Sequence, residues 1–99
     1  MFVGVLTLDV LLGDVRSLKQ KRSEVRPLIA EVRRKFPGLA VGETGHLDLH
    51  RRTEIAVAMV SSKAGHASEV LDACERFVAA RPGIELLSAR RRLFNDEVE

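Results

Sequence analysis

A chain of 99 residues, 45% hydrophobic and 30% charged, is long enough for one hydrophobic core, too short for two, and too apolar to be a disordered tail. Its net charge of +2 excludes nucleic-acid binding by bulk charge, so any such role has to rest on where the charges lie. Cys74, the one cysteine, excludes an internal disulfide; no apolar run approaches the roughly 20 residues that span a bilayer, and no leader segment is visible, so a cytoplasmic location is expected.

From Phe2 to Leu12 the residues are apolar or β-branched apart from Gly4, Thr7 and Asp9. This predicts a strand in the middle of a sheet, with Asp9 on its less buried face. Gly13-Asp14 ends it. Ser17 followed by Gln20 fits a capping box, in which the Ser oxygen accepts the N–H three residues on and the Gln reaches back to the cap. Leu18, Val25, Leu28, Ile29, Val32 and Phe36 then recur at helical spacing. Pro27 removes one helical bond, to Ser23, and leaves two alternatives, a kinked helix or a second start at Ser23. The unbroken phase of the apolar stripe favours one kinked helix, stopped by Pro37-Gly38.

Leu39 to Gly45 reads as a weak strand and Arg52 to Val60 as a strong one, with the polar hairpin 46–51 between them. Ile55, Val57 and Met59 share one face of the second strand; Ala56, Ala58 and Val60 share the other. The small residues at 56 and 58 predict a close neighbour on their face, most simply a helix. A second helix follows, capped by Ser61 or Ser62, with Ala67, Val70, Leu71, Cys74, Phe77 and Val78 as its apolar stripe. Arg81-Pro82-Gly83 breaks it. Ile84 to Phe94 is the last strand, with a bulge expected where the phase passes from Ile84/Leu86 to Leu87/Ala89. Residues 95–99 are expected to be a loose tail beyond a single domain of residues 1–94.

The order strand, helix, strand, strand, helix, strand, joined by right-handed crossovers, predicts an α+β ferredoxin-like βαββαβ sandwich. Its four-stranded antiparallel sheet carries both helices on one face. The first and third strands, the two most apolar, take the centre.

Charge is polarised along this framework. From Ser17 to Phe36 seven Lys/Arg stand against Glu24 and Glu31. Three of these cations, Lys19, Lys21 and Arg22, sit at a helix start, where the macrodipole disfavours them unless an anion offsets them. The last-turn cations 33–35 need no such explanation.

With SLKQKR at 17–22, DLHRR at 48–52 and ELLSARRRL at 85–93, the chain resembles the small bacterial YlxP family, also called domain-of-unknown-function family 503, over nearly its full length. The resemblance implies a ferredoxin-like fold and, because members are often encoded beside translation-initiation and ribosome-maturation genes, a role near the ribosome. It implies no enzyme activity. The family's shared positions fall on Ser17, Leu18, Lys19, Lys21, Arg22, Asp48, Leu49 and Arg52. Many relatives carry tryptophan at the position of His50 and glycine at that of Ala56.

Candidate chemistry follows from these features. Lys19, Lys21 and Arg22, continued by Arg26 and Arg33, are the expected anion or RNA site, holding phosphates by charge and helix-start N–H groups. The hairpin residues Asp48, His50, Arg51 and Arg52 are a second candidate contact, with Asp48 expected to pair with Arg51 or Arg52 or to bond turn N–H groups. Base stacking on the sheet, as in RNA-recognition motifs, is disfavoured, because of four Phe and no Tyr or Trp only Phe2 falls on a central strand. His46, Asp48 and His50 alternate as ligands on an extended strand would, yet three such groups without cysteine make a weak set, and no metal or cofactor is expected. Cys74 lies in a core stripe, and no nucleophile motif appears, so no enzyme is expected. The expected function is binding of ribosomal RNA or a ribosome-associated protein through the first helix. The alternative is a dimeric protein-interaction module without nucleic-acid contact, paired through its open sheet face or an edge strand, and no membrane is involved in either.

Overall fold

In the computed structural model, which describes residues 1–96, the apolar segment Phe2–Leu12 forms strand β1. It is followed by α1 (Leu18–Lys35), β2 (Ala40–Gly45), β3 (Arg52–Ser61), α2 (Ala64–Ala79) and β4 (Ile84–Asn95). The strands lie in the order β2-β3-β1-β4 and all pairings are antiparallel. This is the ferredoxin-like sandwich, with β3 and β1 at its centre.

Strand periodicity divides the sheet into two unlike faces. Leu6, Leu8, Val10 and Leu12 of β1, with Thr53, Ile55 and Val57 of β3, are buried under the helices. They meet Val25, Leu28 and Val32 of α1 and Leu71, Cys74 and Val78 of α2 in one core. Gly4 lets α2 approach: a Cβ there would fall 2.8 Å from Leu71 Cδ1. Phe36 and Phe77 close the far end of the helix pair edge to face, centroids 5.8 Å apart. Burial also pushes the Cys74 thiol up to about 11, with Glu75 adding to the effect.

Ala56 and Ala58 correct one expectation. They pair with Thr7 and Val5 on one side and with Gly42 and Ala40 on the other, on the face that carries no helix. The close helix contact is instead made at Gly4 on β1.

Other local expectations divide. α1 runs unbroken through Pro27, its apolar stripe in phase on both sides. The bulge falls at Leu87, where the register passes from Asp9–Ser88 to Val10–Leu86. A second shift, at Thr44 of β2, was not anticipated. α2 starts later than expected, with Lys63 as its N-cap and no side-chain capping bond; Ser61 Oγ accepts the Lys63 N–H (3.0 Å) in the turn before it. Two of the residues expected to be loose are placed. Asn95 belongs to β4, the Asp96 N–H donates to the Met1 carbonyl (2.9 Å), and 97–99 lie outside the described residues.

Two glycine substitutions test this packing. Gly4→Ala should lower the unfolding free energy by about 1–2 kcal/mol, because the buried Leu71 side chain has to shift. Gly65→Ala, in the first turn of α2 with open space around it, should raise it by about 0.5–1 kcal/mol. Urea titration of both variants reads the difference in sign.

Candidate anion-binding groove

The start of α1 is built by short-range bonds. Ser17 Oγ accepts the Gln20 N–H (3.0 Å), as a cap should. Gln20 reaches back one residue further than a capping box requires: its Oε1 accepts the Arg16 N–H (2.8 Å), and its Nε2 donates to the Asp14 carbonyl (3.2 Å). The helix start is thereby tied to the loop leaving β1.

Lys21 departs furthest from its expected role. It is only 3% exposed. Its ammonium donates to the His46 carbonyl (2.6 Å) and lies 3.0 Å from Glu43 Oε2, which also accepts from the buried Thr53 hydroxyl (2.7 Å). A charge this far from water needs both an opposite charge and hydrogen-bond acceptors, and β2 with its hairpin supplies them. Lys21 therefore braces α1 against the hairpin and is withdrawn from the exposed basic surface. Arg33 is tied in the same direction, donating to the Val41 carbonyl of β2 (2.8 Å).

The hairpin is held from its other side by Asp9. Arg52 donates to both Asp9 oxygens (3.1 and 2.5 Å), and His46 Nε2 lies 3.5 Å from the same carboxylate. Arg51 Nε donates to the Gly13 carbonyl (3.0 Å). Neither arginine pairs with Asp48, so that expectation is corrected: Asp9, brought alongside by the β1–β3 register, takes Arg52 instead. The Leu49 N–H donates to the His46 carbonyl (3.1 Å), and His46 has φ 55°, so residues 46–50 form a turn rather than an extended strand. His46, Asp48 and His50 therefore do not share a strand face. Among the described residues no group of three or more His, Cys, Asp or Glu is placed to hold a metal ion.

What remains exposed on α1 has an order of its own. At about 100° per residue, Lys19, Arg22, Arg26 and Arg33 fall within about 60° of one another, on the edge facing β2. Glu24 and Glu31 lie on the opposite edge, where Glu31 pairs with Arg81 beyond α2 (2.8 Å). Between the basic edge and the hairpin runs a groove of about 260 Å³. Leu18, Val25, Ile29 and Leu47 give it apolar lining, and Lys21, Arg22, Arg26 and Glu43 line the rest. Helix and hairpin thus form one surface. Lys19, Arg22 and Arg26 are exposed and have no carboxylate partner among the described residues.

Glu43, His46 and Leu47 were missing from the sequence-based site. A signal for the first existed: Leu18, Lys21, Val25, Leu28 and Val32 follow one stripe, so Lys21 occupies a core position, and Glu43 shares a strand face with Val41. The contribution of His46 is a backbone carbonyl, which leaves no trace in residue identity.

A family model described as "Protein of unknown function (DUF503)" matches residues 3–91. The "Uncharacterized protein YlxP" of Bacillus subtilis (strain 168) is 28% identical over 92 residues, covering 93% of this chain and 99% of the Bacillus protein. Among the described residues no helix is long and apolar enough to cross a membrane.

The brace has a direct test. Lys21→Ala should lower stability by about 3 kcal/mol, the low end for a broken buried pair because Glu43 retains some water contact. Lys21→Met combined with Glu43→Met should recover much of that loss, short of the whole because Thr53 then lacks its acceptor. Chemical denaturation of the three proteins reads both effects.

Proposed function

The chain belongs to the DUF503 family, of unknown function, and we propose that it is a non-enzymatic, cytoplasmic protein that binds the phosphate backbone of structured RNA, ribosomal RNA foremost. The observation that carries this reading is the set of exposed cations without a carboxylate partner among the described residues, Lys19, Arg22 and Arg26, aligned on one edge of α1 beside the groove. Lys19 and Arg22 stand where the helix dipole opposes cations, so an incoming anion relieves a repulsion as well as making a contact. Lys21 and Arg33 hold that edge in place by bonding to the hairpin and β2. Such contacts position a nucleic acid without reading its bases, so low sequence specificity is expected.

A ribosome-associated protein is the second reading. Leu47 and Leu49 at the hairpin tip, 59% and 48% exposed, favour it, because apolar side chains add little to phosphate binding.

Binding of ribosomal RNA fragments and co-sedimentation with ribosomal subunits test both. With three phosphate contacts, affinity should fall roughly 20- to 40-fold between 50 and 200 mM salt. A Lys19→Ala/Arg22→Ala/Arg26→Ala variant, which spares the brace, should lose the RNA fragments. Equal binding by this variant and the wild type would end the RNA reading. Loss of co-sedimentation in Leu47→Ser/Leu49→Ser, with RNA affinity intact, would instead support the protein partner.

A further inference from the structure

The sheet face opposite the helices is built unevenly across its width. On its β2–β3 side the residues are small: Ala40 and Gly42 beside Ala58 and Ala56. On its β1–β4 side they are larger: Val5 and Thr7 beside Arg92 and Arg90. The small side opens into shallow hollows of about 230 and 300 Å³. On the large side stands Phe94, 44% exposed, with the Arg92 guanidinium 4.8 Å over its ring. Val60, paired with Val3 at the same end, is 64% exposed.

A two-fold axis parallel to the strands, between β3 and β1, turns this unevenness into a fit. It preserves each residue's level along the strands and exchanges the two sides. Ala40 and Gly42 of one copy then face Arg92 and Arg90 of the other, and Ala58 faces Val5. The same exchange sets Asp9 of one copy opposite Glu54 of the other, and each is paired within its own copy, Asp9 with Arg52 and Glu54 with Arg90, so neither carboxylate meets the other bare. Arg52, Arg90 and Arg92 against Asp9, Glu54 and Glu85 leave the face without net charge. Neutrality also separates it from the basic edge of α1. The four strands, 39 residues together, present roughly 600 Å² a copy, the low end of the area a partner gives to a stable interface.

We propose that the open sheet face is the interface of a homodimer in which two sheets stack about a two-fold axis parallel to their strands. The helices then lie on the outside of the pair. Both basic edges of α1 remain open, so dimerisation and RNA binding are independent.

Sedimentation velocity on the full chain tests the interface. The wild type should sediment as a dimer at micromolar concentration. Ala58→Glu, which sets a carboxylate in the middle of the face, should raise the dimer dissociation constant by ~100-fold or more with an unchanged circular-dichroism spectrum. Val60→Lys, at an already exposed position, gives the same reading if Ala58→Glu fails to fold. Ala58→Cys should be joined copy to copy by a short bismaleimide, whereas the wild type, whose Cys74 is buried, should not. A monomeric wild type overturns the proposal. So does a dimer that survives Ala58→Glu and Val60→Lys, or one cross-linked at the β4 edge through Leu87→Cys and not through Ala58→Cys.

Discussion

The ammonium of Lys21 is the constraint on which the functional end of the molecule depends. It sits in the core-facing stripe of α1, and a charge in that position is tolerated only with its acceptors in place. Glu43 supplies the opposite charge and the His46 carbonyl a hydrogen bond, so the first turns of α1 and the β2–β3 hairpin hold one relative position. The backbone conformation of His46 belongs to the same arrangement. Its positive φ turns the chain at the point where its carbonyl meets Lys21, while its ring lies beside Asp9 on the other side of the hairpin. Replacing the ion pair by apolar residues is a physically reasonable alternative in general, so the pair's contribution lies in where it places the hairpin.

That placement sorts the cations of α1 by role. Lys21 and Arg33 bond inward, to the hairpin and to β2, while Lys19, Arg22 and Arg26 line the outer edge beside the groove. Sequence alone presents all five as one basic cluster. Only the helix phase, seen against the strands it packs on, separates the structural from the available ones. The two surfaces of the molecule are separated in the same way: a basic helical edge on one side of the sheet, a charge-balanced sheet face on the other.

Much of the fold is legible because it rests on short-range periodicity. The run from Phe2 to Leu12, the single helix carried through Pro27 and the bulge at Leu87 all follow from patterns within a dozen residues. The central positions of β1 and β3 follow from their apolar content. The misreadings occur where a local pattern has two physical causes. Small side chains at Ala56 and Ala58 fit a close helix or an open face equally well, and the topology chose the open face. Ser61 and Ser62 both resemble helix caps, yet Ser61 closes the turn ahead of α2. Gln20 satisfied the backbone of Arg16 instead of Ser17 because the loop after β1 brings that N–H within reach.

The candidate site was half legible for the same reason. Positive charge at the start of α1 is a property of composition and spacing, and residues 17–22 show it unaided. By itself, then, the sequence determined the strand and helix order, the ferredoxin-like arrangement and the polarisation of charge onto α1, because periodicity and dipole effects act over a few residues. Tertiary structure alone decided which lysine is buried, which carboxylate answers it and that helix and hairpin form one groove. Those outcomes depend on groups 22 to 43 positions apart, Lys21 with Glu43 and Asp9 with Arg52, whose meeting is set by strand register and helix packing.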